Sequence, residues 1–283
     1  MIIQRVPALF QPTYNSQYPV YNSGKHMEEM LFRYFSTNHR EIKTNYVYLP
    51  VYWTSYYMLG KDLEVLKTWL HKLDKSKKYL TVVQNDCGIY VNDYNLNITV
   101  CGPSGGLSFK DTCLENNMYN GKTPSIILPY LCTPMIPKRS MEKDILCSFI
   151  GTQNNIYTDV LKDISGVQYF PDAGPEETCD ILNRSTFTLT PRDIGYGSFR
   201  MYEAITCGCI PIYIWNGENP LPYSEKINWG AMCIMLHINN ISVIMDKIKR
   251  AHVDNMQKNL AQNLKFFNFD AAFDYLRWKI EKK

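Results

Sequence analysis

Hydrophobic positions in this chain switch repeatedly between a period near 3.6 and short apolar runs. Over residues 26–40 (HMEEMLFRYFSTNHR), Met27, Met30, Leu31 and Tyr34 fall on one helical face. NYVYLPVYW follows as a strand-like apolar run ending near Pro50. Leu63, Leu66, Leu70 and Leu73 then predict an amphipathic helix over LEVLKTWLHKL. YLTVVQND (79–86), ITVCG (98–102) and SIILPY (125–130) predict three more buried strands, with a PSGG loop after the second.

The stretch LCTPMIPKRSMEKD (131–144) holds two prolines and charges of both signs, the composition of a linker. A second alternation begins beyond it. ILCSFIG, VQYF, TFTLTP, CIPIYIW and AMCIML predict strands; NIYTDVLKDI, ETCDILNR and SFRMYEAITC predict helices. Ile241, Ile244, Met245, Ile248 and Ala251 predict one long amphipathic helix, and Phe273, Leu276 and Ile280 a last one. Strands alternating with helices predict parallel α/β sheets. The expected organisation is two Rossmann-like domains, 1–135 and 136–283, facing a central cleft, with the last helix packing back on the first. Ligands in such sheets bind at the carboxyl ends of strands. That places Asp86, the 102–106 loop, Arg192 and the 193–198 loop at the expected site.

Composition narrows the partners. The chain has 283 residues, 45% of them hydrophobic, and a net charge of only +3, which argues against a nucleic-acid footprint. MIIQRVPALFQPTY does not read as a signal peptide, because Arg5, Pro7 and Gln11 interrupt its apolar runs. No run approaches the ~18 apolar residues of a membrane span. A soluble, cytoplasmic protein is expected. Its nine cysteines lack paired CxxC spacing and read as buried thiols, including Cys207 and Cys209 at an apolar helix-to-strand junction. No metal site is expected. The sequons at Asn97, Asn183 and Asn240 are expected to stay unmodified.

Candidate chemistry concentrates between Arg184 and Trp229. In DIGYGSFR (193–200), Gly195 and Gly197 permit close backbone approach and Ser198 suits a helix cap or a phosphate oxygen. Arg192 and Arg200 flank the loop, and a helix N-terminus with arginines beside it suits a diphosphate. The plain alternative is an ordinary cap with a surface arginine. Glu203, one turn beyond Arg200, suits ribose hydroxyls or a simple Arg200–Glu203 ion pair. Pro222, Tyr223 and Trp229 suit either a sugar pocket or closure over a base. Tyr52, Trp53, Tyr56 and Tyr57 suit sugar stacking or, more economically, core packing. Asp86 ends a strand and suits a general base or a turn cap. Glu28, Asp93 and His39 are weaker candidates for the base, and His39 reads more simply as a satisfied surface histidine.

Ser185, Phe187, Leu189, Pro191, Ser198, Arg200, Glu203, Ala204 and Gly208-Cys209-Ile210-Pro211, then Leu221-Pro222-Tyr223 and Trp229, resemble the C-terminal block of the exostosin-like domain, glycosyltransferase family 47. FIGT (149–152) preceded by Lys138-Arg139, VVQNDCG (82–88), YLPVYW (48–53) and the C-terminal MQKNL…FF extend the resemblance over most of the chain. Asp193 stands where many members have glycine, and Asn85 where they have histidine.

The resemblance implies a GT-B fold and an inverting transfer from a nucleotide sugar, with the donor held mainly by the C-terminal domain and the acceptor by the N-terminal one. The donor set it implies is Arg139, Arg192, Gly197, Ser198, Arg200, Glu203, Pro222 and Tyr223, with Asp86 as the base. No D-x-D occurs, so arginines and helix amides are expected to replace a metal at the diphosphate. The expected function is transfer from a UDP-sugar, xylose as a first guess, to a hydroxyl of an oligosaccharide or glycoprotein glycan. The alternative is a non-catalytic glycan- or nucleotide-binding module, which Asn85 and Asp193 favour. A third reading is an unrelated phosphate-binding α/β enzyme such as a kinase, and the lack of GxxxxGK[ST] argues against its P-loop version.

Overall fold

The computed structural model describes residues 1–14, 26–85, 88–89, 96–103, 125–130, 142–151, 157–192, 197–217 and 219–282. The chain divides into two compact units. One comprises Met1–Leu131, Pro220–Pro222 and Phe269–Lys283; the other comprises Cys132–Asn219 and Tyr223–Asn268.

In the first unit, β1 (Ile2–Ile3), β2 (Tyr46–Tyr48), β3 (Lys78–Val82), β4 (Asn97–Gly102) and β5 (Ser125–Ile127) form a parallel sheet in sequence order. Val47 pairs with Tyr79 and Leu80 with Thr99. The two faces divide by the period of two along each strand. Val47, Tyr79 and Val100 meet Trp53 and Tyr56 of α2 (Trp53–Met58) and Leu66 and Leu70 of α3 (Leu63–Leu70). On the other side, Tyr48 packs on Phe35 of α1 (Met27–Asn38), with ring centroids 4.5 Å apart. Tyr34 of α1 stacks on Phe273 of α9 (Phe269–Glu281) at 4.7 Å.

In the second unit the sheet order is β10-β9-β8-β6-β7, again all parallel. Its strands are β6 (Ile145–Gly151), β7 (Gln168–Pro171), β8 (Ser185–Pro191), β9 (Ile210–Trp215) and β10 (Ile234–His237). Phe149, Phe187, Leu189, Ile212 and Leu236 share one core with Leu161 of α4 (Thr158–Leu161) and Ile244 and Ile248 of α7 (Ile244–Lys249). Ile181 and Leu182 of α5 (Pro175–Arg184) and Ala204 of α6 (Phe199–Thr206) pack with Ile150 and Cys209 in another. Apolar cover on both faces explains why these strands read as continuous hydrophobic runs. Two units, each built on a parallel α/β sheet, have the α/β composition of a GT-B fold.

Several elements differ from their predicted form. The single long helix over 241–251 is replaced by a 3-10 segment, Ile238–Val243, followed by the short α7. Asn240 leaves helical geometry there (φ −107°, ψ 21°), and β-branched residues with adjacent asparagines favour such a break. The predicted NIYTDVLKDI helix contracts to the four residues of α4. The AMCIML strand starts only at Ile234, after a 3-10 turn at Trp229–Ala231. β1 and α2 arise where the periodicity carried little or no signal, and α8 (Val253–Asn263) covers the MQKNL segment that the resemblance implies is helical. Among the described residues no helix is long and apolar enough to cross a membrane.

Candidate functional site

The strand order of the second unit singles out one place on its sheet. From β6 the chain moves outward to β7, then returns across β6 to β8 and continues to β9 and β10. The direction therefore reverses between β6 and β8, and the gap at the carboxyl ends of these two strands is the usual ligand crevice of an open α/β sheet. Gly151 ends β6 and Arg192 follows β8.

Arg192 is held firmly at this gap. Its amide continues the ladder by donating to Ile214 O at 3.0 Å. Its side chain is buried, and Nε donates to Tyr157 Oη at 2.6 Å with the guanidinium 5.8 Å from that ring's centroid. Tyr157 is the N-cap of α4, the helix that follows β6, so this bond ties together the two connections that diverge at the crevice. Tyr157 carries no signal of its own in the sequence.

The α6 helix starts just beyond, and Gly197 and Ser198 are buried at its entrance. Ser198 occupies the N-cap position in extended geometry, but its hydroxyl makes no capping hydrogen bond. Arg200 lies in the first turn, where the helix dipole disfavours a cation. Its Nη1 donates to Glu203 Oε2 at 2.7 Å, and the two side chains are 15% and 3% exposed. The ion pair foreseen as the simple alternative is thus present, though largely buried rather than on the surface. Arg200 Nε is buried without a hydrogen-bond partner among the described residues. No acidic residue occupies the first turn of α6. The amides at the start of α6 favour an anion, while the Arg200 charge is already met by Glu203.

Pro222 and Tyr223 are both buried. The Tyr223 ring packs beside Phe266 and Phe267 at 5.7 and 6.2 Å, and Trp229 meets Phe267 at 5.6 Å. Tyr223 has φ +56°, which is strained for a bulky residue. Its carbonyl accepts from Lys226 N at 2.7 Å and Ile227 N at 2.8 Å, which helps hold that conformation.

Asp86 and Arg139 lie outside the described residues, as do Asp93, Lys138, Asp193 and Gly195. In the first unit, the carboxyl ends of β2 and β3 are joined through a buried glutamate on α1. Glu28 Oε1 accepts from Thr54 N at 3.0 Å, Thr54 Oγ1 at 2.6 Å and Gln84 N at 3.2 Å. Burial raises its pKa above the ordinary carboxylate value, against those hydrogen bonds. His26, beside it in sequence, shares a hydrogen bond between Nδ1 and Ser55 Oγ at 3.1 Å, and burial lowers its pKa. His39 bonds locally to Ser36 O at 3.0 Å. Trp53 and Tyr56 are core residues, at 0% and 1% exposure. Tyr52, half-buried, lines an open groove of about 920 Å³ with Glu29, Phe32, Arg33 and Phe269. Burial and the Glu29 and Glu28 carboxylates push its phenol up to about 12.

The six described cysteines are free thiols, and burial raises those of Cys147, Cys207, Cys209 and Cys233. Among the described residues no cluster of three or more His, Cys, Asp or Glu could hold a metal ion. Asn183 is 3% exposed and bonds Cys179 O at 2.8 Å, so its sequon is inaccessible in the folded protein.

Comparison with known proteins adds a sequence-level finding. The family model of the Exostosin GT47 domain matches residues 109–251. Bovine (Bos taurus) Exostosin-1 is 35% identical over 77 residues, which are 27% of this chain and 10% of that protein. The Exostosin-1 homolog of Caenorhabditis elegans is 40% identical over 57 residues, 20% of this chain and 15% of that protein. The chain thus spans about a tenth of the length of the first curated relatives it matches. Among solved structures the overlap is low. TarM gives a TM-score of 0.47 at 9% identity, over 88% of this chain and 57% of that one. A glycosyltransferase from Rickettsia africae ESF-5 gives 0.45 at 12%, over 96% and 83%.

Proposed function

The chain belongs to the exostosin GT47 family, a family of glycosyltransferases, and on that premise we propose that it transfers a sugar from a UDP-sugar to a glycan hydroxyl, on an oligosaccharide or a glycoprotein, with inversion. The acceptor oxygen attacks the anomeric carbon. The bond from that carbon to the β-phosphate oxygen breaks, and UDP leaves with the electron pair. Asp86 takes the acceptor proton. Arg192, Arg200 and the amides at residues 197–199 meet the growing charge on the diphosphate, so no metal is needed. Glu203 faces the ribose in this reading, Pro222 and Tyr223 the sugar, and Arg139 joins the donor set.

The single observation that supports this most is the crevice between β6 and β8. Arg192 follows β8 there, and the arginine-bearing start of α6 comes next in the chain among the described elements. The test is release of UDP from UDP-xylose, UDP-galactose, UDP-glucuronate and UDP-N-acetylglucosamine, xylose first, with and without a glycan acceptor. Acceptor-dependent UDP release is the expected result. A second reading, a non-catalytic binding module, draws on Asn85, Asp193 and the closed Arg200–Glu203 pair. UDP binding without turnover of any of these donors would favour that module and sink the transferase.

A further inference from the structure

Glu28 is 1% exposed, and among the described residues its side chain is held by two backbone amides and a hydroxyl rather than by a counter-ion. Its Oε1 gathers the Thr54 amide, the Thr54 hydroxyl and the Gln84 amide, while Oε2 is buried without a hydrogen-bond partner among the described residues. The Thr54 hydroxyl accepts in turn from Asn85 N at 2.9 Å, and the Gln84 side-chain oxygen accepts from Met27 N at 3.0 Å. Three elements meet here: the start of α1, the start of α2 and the chain leaving β3. Burying a carboxyl with one oxygen unsatisfied is costly, and a fold that needed only a spacer would be more stable with an apolar side chain.

We propose that Glu28 is a positioning residue: acting with Thr54, it fixes the backbone of Gln84 and Asn85 at the carboxyl end of β3, the residues that precede the proposed base Asp86 in the sequence. The role rests on the glycosyl-transfer reading given above. Glu28 itself is too enclosed to touch a substrate. It acts as a hydrogen-bond acceptor, a task an amide oxygen performs equally well.

The test compares the full-length chain with Glu28→Gln, Glu28→Ala and Thr54→Val. Hydrogen exchange of peptides covering 79–89 reads the clamp directly, and UDP release from the four UDP-sugars with a glycan acceptor reads its consequence. In Glu28→Ala, exchange at the Gln84 and Asn85 amides should accelerate at least tenfold. kcat should fall at least tenfold while the donor KM stays within about twofold. Glu28→Gln should hold both readouts within about threefold of the native chain. A tenfold loss of kcat in Glu28→Gln would mean that Glu28 moves a proton, and would overturn the positioning role. Unchanged exchange in Glu28→Ala, or faster exchange with native kcat, would overturn it as well. If Glu28→Ala does not fold, Thr54→Val carries the test, since it removes the bridge to Asn85 while keeping shape and the carboxyl. Native protein that turns over no donor would instead sink the transferase reading, and this role with it.

Discussion

At the scale of single residues, two side chains decide most of what can be measured. Arg200 sits in the first turn of α6 and is already engaged by Glu203 at 2.7 Å. If it also meets a diphosphate, Arg200→Ala removes a charge-assisted hydrogen bond worth roughly 1.5–3 kcal/mol, about ten- to a hundred-fold in Kd. Titration calorimetry with UDP checks this, and native affinity in the variant would remove Arg200 from the site. Glu28 gives a pH-dependent prediction. Its folded pKa is raised, so the folded state holds a proton that the unfolded state releases above the ordinary value of 4.5. Stability tied to this group is therefore complete below pH ~4.5 and is lost as pH rises through the folded value. Glu28→Gln cannot ionise, so its Tm advantage over the native chain should grow from pH 4.5 upward. A constant gap across that range would show that Glu28 is not strained by burial. Arg192, Arg200 and Glu203 were all visible as candidates in the sequence. Tyr157 was not, because a contact over 35 positions leaves no mark in local spacing.

Among the elements, the strands were largely legible and the helices less so. A strand buried on both faces is an apolar run whatever its neighbours, so β3, β4, β6, β8 and β9 stood out. Helices depend more on what they pack against. The apolar spacing over 241–251 matched one helix, yet INNISV resisted helical geometry and the segment divided into a 3-10 turn and α7. Gly102 shows a constraint that spacing cannot reveal. It ends β4 where a Cβ would overlap the carbonyl oxygen of Val83, a backbone atom that cannot move aside. Gly102→Ala should cost about 3 kcal/mol, visible as a lower midpoint in chemical denaturation. Gly230→Ala, whose Cβ would meet only Asn228 Oδ1 at 3.6 Å, should change the midpoint by less than about 1 kcal/mol. Equal effects of the two would deny the close approach at β4.

For the whole molecule, the two parallel-sheet units differ in strand order. The first runs through its strands in order and has no reversal point among the described strands, while the second reverses beside β6. That asymmetry supports donor binding by the second unit. On the proposed reading, arginine and helix amides meet the diphosphate charge, so transfer should continue in excess EDTA at about the untreated rate. Activity lost on chelation and restored by Mg²⁺ would contradict metal-free stabilisation of the diphosphate.

The sequence by itself determined the class of each half, the arginine-bearing loop at α6 and the resemblance that the family match bears out. These rest on local periodicity and on fixed spacing within one loop and helix, which need no knowledge of distant partners. Tertiary structure alone decided that Arg192 is anchored by Tyr157, that Arg200 is closed on Glu203 inside the protein, and that Glu28 ties α1 and α2 to the chain leaving β3. Two of these three join residues dozens of positions apart. The third was open to either reading until burial was known, because spacing places two side chains on one helical face without saying what surrounds them.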